Sequence, residues 1–428
     1  MTILSLAWIP APARAQTLID RSCTGKSDIP AGQQILGCSD AIKSGAFVGK
    51  DLAVAFGNRG RAYLDNGELD LAIADYDQAI AIDASSAVWF YGRAAAYFAK
   101  KQNDNAIDDL TRALALDPNF AVAYNGRGNA YAAKGDIDRA IADFDSAIRI
   151  DPKAAYAFNG RGSMYQAKGD IDRAIADYGQ AISLNPAYAL AHNNRGGAYQ
   201  IKGDYDRAIA DYDMAIRIDP TYAPAYDSRG SIYGNKGDRD RAIADYDQAI
   251  RLDPGLAHAY ANRGSVYTEK QDYDHALADL SQAIRLDPSS AQAYYNRGVV
   301  HSIKADYDRA IADYDQAIRL QPRLPVALNN RGLAYLHKNE IDRAIADYNE
   351  AIRLNPRFSV AFNNRGTAFV RKKDYAHAIA DYTEAIRLDP GYAAALFRRG
   401  VVRRLDGDRA GGDADIVAAK KIDPDLAE

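Results

Sequence analysis

Residues 189–222 read ALAHNNRGGAYQIKGDYDRAIADYDMAIRIDPTY, and residues 223–256 repeat the stretch almost place for place. Its first part, through Gln200, carries Arg195, Gly196 and Tyr199 before Lys202-Gly203-Asp204 interrupts it with a helix-ending glycine. Asp204 and Asp206 open a second segment, where an acidic side chain accepts orphan backbone N–H groups and opposes the helix dipole. Ala208, Tyr212, Ala215 and Ile216 then recur at the spacing of one helix face. Asp219-Pro220 stops the segment, because proline lacks an N–H and restricts the residue before it. The stretch therefore predicts two amphipathic helices and a restart.

The restart has a fixed period. The glycine that follows an arginine recurs every 34 residues, at Gly60, Gly128, Gly162, Gly196, Gly230, Gly264, Gly298, Gly332, Gly366 and Gly400, with Ala94 standing in once. Placing it eighth in the unit gives eleven uninterrupted units over residues 53–426. No second domain interrupts the array, so an enzyme would have to fit in the residues outside it. In the third unit Tyr124, Gly128, Tyr131, Ala140, Phe144, Ala147 and Pro152 stand where small, aromatic and proline residues stand in the tetratricopeptide repeat, and the chain resembles that family over the whole array. It departs in having arginine where that pattern has leucine before the glycine, and Tyr, Phe, His or Leu in place of its tryptophan. The resemblance implies an all-α fold, a right-handed superhelical solenoid of helix-turn-helix repeats.

Physics explains the tandem arrangement. Ordering one unit costs on the order of 50 kcal/mol at about 1.5 kcal/mol per residue. At about 25 cal/mol per Å² this demands about 2,000 Å² of apolar burial, more than one hairpin supplies without neighbours on both sides.

Composition narrows the function. With 53 Lys plus Arg against 57 Asp plus Glu and a net charge of −4, the chain has no electrostatic footprint for a polyanion, so no nucleic acid is expected as partner. Apolar residues make up 48%, enough for a core, yet no run approaches a membrane span. The six histidines lack zincin spacing, and Asp-x-Asp pairs such as Asp204/Asp206 and Asp306/Asp308 lack the glycine and glutamate of a calcium loop, so helix capping is the better reading. No metal, cofactor or catalytic residue is expected, and the protein is read as not an enzyme.

The ends carry separate signals. Ile3 to Ile9 is a short apolar run, followed by Pro10, Pro12 and Ala13-Arg14-Ala15 before Gln16, which resembles a signal-peptide cleavage site although no Lys or Arg precedes the run. Residues 1–15 are thus expected to be a signal peptide and the protein periplasmic or secreted; the alternative is cytoplasmic. Residues 16–52 read as an N-terminal capping segment. Within it Gln33 to Lys43 looks like a lone second helix, with Ile35, Cys38, Ala41 and Ile42 where the first unit has Ile73, Tyr76, Ala79 and Ile80. Cys23 lies fifteen residues before Cys38 and is placed to staple the leading segment to this cap; two free buried thiols are the alternative. The last unit, with Arg403, Gly412 and Ile416 at altered places, reads as a degenerate polar cap, and its arginine-rich surface as an anion patch in the alternative.

Arginine fills the seventh place and aspartate the place before the second-helix aromatic in all eleven units. Arg195, Arg229, Arg263 and Arg297 with Asp211, Asp245, Asp279 and Asp313 represent a structural ion-pair ladder, since a half-buried arginine needs a partner; a pocket for anions is the functional alternative.

The first-helix face opposite the packing stripe remains, the side that lines the concave groove in tetratricopeptide proteins. Here it carries Asn125, Asn129, Asn159, Asn193, Asn194, Asn262, Asn296, Asn329, Asn330, Asn363 and Asn364, and no lysine at the second, fifth or sixth place. An asparagine donates and accepts at once, which suits the backbone of an extended peptide. The arrangement is similar to that in the O-linked N-acetylglucosamine transferase superhelix. Because asparagine is a poor helix former, its recurrence mid-helix points to function, and its replacement by alanine is expected to spare stability.

These readings converge on a protein-protein interaction scaffold that binds an extended peptide or partner segment in its groove. A helical-repeat RNA-binding protein is disfavoured by charge and period. An accessory subunit of an envelope enzyme complex is the other alternative. Oligomeric state is not encoded in any feature of the sequence.

Overall fold

A computed structural model of the chain describes Cys23 and residues 29–426. The expected leader, residues 1–15, lies outside the described residues. The regular structure within them is helical, from Ala31–Lys43 to Arg409–Ile422, without a strand. No helix among them is long and apolar enough to cross a membrane. The chain forms two compact units, Met1–Pro220 and Thr221–Glu428. Within each, a first helix packs on the second helix of its own repeat and on the second helix of the repeat before it.

The local rules repeat with the period. In the eighth repeat the first helix spans Ala291–Ile303 and the second Tyr307–Leu320. The inner face of that hairpin is built from Ala293, Ala310, Tyr314 and Ala317, all essentially inaccessible. Gly298 brings the two helices together: a Cβ there would lie 2.8 Å from the Tyr314 ring, closer than side-chain carbons approach. The repeat with Ala94 tolerates its methyl because Leu110 replaces the aromatic in the same buried cluster.

The turn between the helices uses a left-handed residue at the fifteenth place of every unit. Six units supply glycine there, from Gly67 to Gly407, whereas Lys101, Gln271, Ala305, Asn339 and Lys373 hold positive φ without one. Left-handed backbone costs a side-chain-bearing residue roughly 1–2 kcal/mol. Replacing Ala305, at φ 57°, by glycine is therefore expected to stabilise the eighth repeat by about 1 kcal/mol, seen as slower hydrogen exchange there.

The Asp-x-Asp pairs divide their work in a way the sequence reading did not anticipate. Asp306 caps its helix, accepting the Arg309 N–H at 3.2 Å. The second aspartate of a pair does not cap; it clamps the next repeat instead. Asp240 accepts from Lys270 Nζ at 2.6 Å and Asp274 from Lys304 Nζ at 2.8 Å, each across a separation of 30 residues. All of these groups lie at the surface, so each clamp contributes modestly, and their value is in repetition.

At the leading end, the cap helix starts at Ala31 and the first helix of repeat one at Gly49, four residues ahead of the later pattern. Cys23 and Cys38 are bonded to one another, and both are fully buried beside Ala41, Phe47 and Ala55. The cap imitates a preceding repeat: Ser39 Oγ accepts from Arg59 Nη1 at 3.1 Å, and the Cys23 carbonyl accepts from Asn58 Nδ2 at 3.0 Å. At the trailing end Gly412 replaces the usual alanine, and a Cβ on it would lie 2.6 Å from the Gly400 carbonyl oxygen. The arginines there are largely engaged, Arg403 with Asp415 at 3.0 Å and Arg404 with Asp413 at 2.6 Å.

Candidate functional site

Two ladders run along the repeats. In the first, Arg195 Nε and Nη2 fork onto Asp211 at 2.8 and 2.7 Å. Arg229 with Asp245, Arg263 with Asp279 and Arg297 with Asp313 repeat the bidentate geometry at 2.7 to 2.8 Å. Where the preceding second helix offers a side-chain acceptor, the third guanidinium nitrogen reaches back to it: Arg161 Nη1 donates to Asp145 at 2.7 Å and Arg297 Nη1 to Ser281 at 3.2 Å. Several of these cations also lie against aromatic rings, Arg263 between Tyr260 and Tyr267 at 5.6 and 5.9 Å. With its fork on one carboxylate and its remaining nitrogen on the neighbouring repeat, the series has the geometry of a tie between helices.

The second ladder is the asparagine row. Its fifth-place members Asn125, Asn159, Asn329 and Asn363 are buried, whereas Asn193 at that place and Asn129, Asn194, Asn262, Asn296, Asn330 and Asn364 are half-buried. Sixth-place amides bond across the repeat boundary, 35 residues back: Asn194 Nδ2 donates to Asn159 Oδ1 at 3.0 Å and Asn364 Nδ2 to Asn329 Oδ1 at 3.0 Å. In the second unit these bonds join into a chain. Asn363 Nδ2 donates to Asn364 Oδ1, Asn364 to Asn329, Asn329 Nδ2 to Asn330 Oδ1, and Asn330 Nδ2 to the Tyr295 hydroxyl at 3.2 Å. Asn296 Nδ2 donates to Ser265 Oγ at 2.7 Å while its Oδ1 accepts from Gln292. The expectation that alanine spares stability along this row is therefore corrected: replacing Asn364 strands the buried Asn329 oxygen, a loss of roughly 1–3 kcal/mol.

One register of the row carries a carboxylate. Asp227 stands at the fifth place where five other repeats have asparagine. It is 7% exposed, its Oδ2 is 2.8 Å from His258 Nε2 on the next first helix, and its Oδ1 has no hydrogen-bond partner. The sequence reading passed over this pair because it followed asparagines only. Asp227 holds the His258 imidazolium and raises its pKa above the ordinary value. A folded-state pKa raised in this way stabilises the fold fully below the unfolded pKa of about 6.5, and that contribution disappears as pH rises through the folded value. An NMR titration should accordingly find the His258 midpoint above the ordinary range, returning towards it in Asp227→Asn.

Among the described residues no group of His, Cys, Asp and Glu is arranged to hold a metal ion.

Comparison with known proteins agrees with this geometry. A TPR repeat model matches residues 230–270 and 264–302, and a tetratricopeptide repeat model matches 291–324, 325–358 and 359–392, the unit boundaries read above. A model described as the ETO1 C-terminal domain matches residues 14–229. No curated protein sequence matches the chain. Among solved structures, the APC/C hetero-tetramer Cut9-Hcn1 is similar with a TM-score of 0.51 and 14% identity, over 92% of this chain and 91% of that one. Yeast Tom70 matches with a TM-score of 0.40 and 18% identity over 86% and 92% of the two chains. MamA matches with a TM-score of 0.34 and 30% identity over 38% of this chain and 94% of that one. The repeat models, their shared register and the helical hairpins behind them place this chain in the tetratricopeptide repeat family.

Proposed function

We propose that the protein is a non-enzymatic interaction scaffold that holds an extended peptide or partner segment along the row of first helices. The observation that carries this reading is the half-buried, uncharged amide row at the sixth place, which keeps hydrogen-bonding capacity at the surface in successive repeats. The similar fold in the APC/C hetero-tetramer Cut9-Hcn1, a complex of protein chains, supports the class. The sixth place already accepts an arginine in the last repeat, where Arg398 is exposed. Asn296→Arg with Asn330→Arg should therefore fold and fill the groove, weakening partner binding by about tenfold or more, which corresponds to roughly 1.4 kcal/mol. Leu320→Arg on a second helix should leave binding unchanged. Equal binding by all three proteins, in a titration of the partner recovered by crosslinking, would refute the groove.

We further propose that the protein is exported, with Gln16 as the mature N-terminus. The cleavage-like Ala13-Arg14-Ala15 and the bonded Cys23 and Cys38 support an oxidising compartment. Intact mass of protein from its native compartment should show residues 1–15 removed and no alkylatable thiol; retained residues or two alkylated thiols would contradict export.

A further inference from the structure

At two registers of the amide row the sixth-place nitrogen of one repeat satisfies the fifth-place oxygen of the repeat before it, Asn194 for Asn159 and Asn364 for Asn329. The same offset of 35 residues sets Asn262 against Asp227. There the bond is not made: Asp227 Oδ1 is buried without a partner, and the Asn262 side chain makes no hydrogen bond among the described residues. A buried carboxylate oxygen is the costliest acceptor to leave unsatisfied, since its desolvation is uncompensated. Its one partner, His258, grips the other oxygen from a side chain that is 62% exposed, so the grip can be released without disturbing the core. The places around it carry the small side chains of Ser228, Ser231, Ala261 and Ser265. The result is a gap in the amide pairing, an unsatisfied carboxylate oxygen where neighbouring registers present neutral amides.

We infer that Asp227, with Asn262 and in competition with His258, seats a basic side chain of the extended partner segment, a lysine ammonium or an arginine guanidinium. The inference rests on the groove reading and adds the chemistry of the residue it selects. An incoming cation donates to Asp227 Oδ1 and to the Asn262 carbonyl oxygen, and displaces or shares Oδ2 with His258. It forms a charge-assisted hydrogen bond away from bulk water, which is stronger than any contact the neutral amides make. Neutral segments find no such partner here, so the gap fixes the register of the ligand as well as its composition.

The test uses the full chain with its disulfide intact and a displayed library of random dodecapeptides. Selected peptides should share one Lys or Arg position. Replacing that residue by norleucine should weaken binding to the wild-type chain by about tenfold to a hundredfold, the range of one charge-assisted bond. The same replacement should change little against Asp227→Asn, a variant that folds because asparagine is the common residue at this place. His258→Gln, which removes the competing cation, should strengthen binding of the basic peptides. Peptides selected without a shared basic residue, or a norleucine effect of equal size on Asp227→Asn, would overturn this inference while leaving the groove standing. Failure to select any peptide would count against the groove itself, and the inference would fall with it.

Discussion

Replacing Arg263 with alanine is expected to cost about 3 kcal/mol, the low end of the penalty for breaking a buried ion pair by removing one partner. The residue forks onto Asp279, whose side chain is 9% exposed, so the substitution leaves a largely buried carboxylate without its partner. It also releases Asp247 of the preceding repeat and opens the space between Tyr260 and Tyr267. Because a repeat array is held by nearest-neighbour interfaces, the loss should be local. Hydrogen exchange should quicken in the repeat of Arg263 and its neighbours and stay unchanged in the first unit. Unchanged protection joined to lost ligand binding would support the anion-pocket reading instead.

Opening the bond between Cys23 and Cys38 should have the second large effect. It closes a loop with a sequence separation of 15, for which chain entropy gives about 3 kcal/mol. That bond ties Cys23 to the cap helix, and the leading segment holds the first hairpin by the Cys23 carbonyl on Asn58 and by the packing of Phe47 and Ala55. Cys23→Ser with Cys38→Ser should therefore fray Gly49–Asp65, raising exchange there while repeats from the third onward keep their protection. A double variant whose first repeat exchanges like that of the parent would show that the cap is held by packing alone.

Much of the fold is legible in one unit of sequence. The glycine series fixes the period, the alanine and aromatic places fix the inner face, and the recurrence of Arg and Asp sixteen residues apart fixes the main tie, as Arg263 and Asp279 show. Contacts within a hairpin are readable because helix periodicity and a short turn set them. Contacts between repeats are less so, because they depend on the offset at which hairpins stack. The Lys270–Asp240 clamp and the Asn364–Asn329 bond arise at separations of 30 and 35 residues that no helical rule supplies. This is why the asparagine row was read as free surface when its sixth-place members also tie repeats together. Asp227 was legible as an exception to a pattern, but its meaning required the position of His258, which stacking alone provides. At Ala305 the turn overrides residue preference, since the neighbouring helices dictate a left-handed residue whether or not glycine is there.

Partners are proposed to lie along the first helices. Site-specific photocrosslinking in the native compartment tests this placement most directly, with a photoreactive phenylalanine at Asn296 on a first helix and, separately, at the exposed Arg319 on the adjacent second helix. A defined crosslinked partner is expected from position 296 and none from position 319. A partner captured from position 319 alone would contradict that placement.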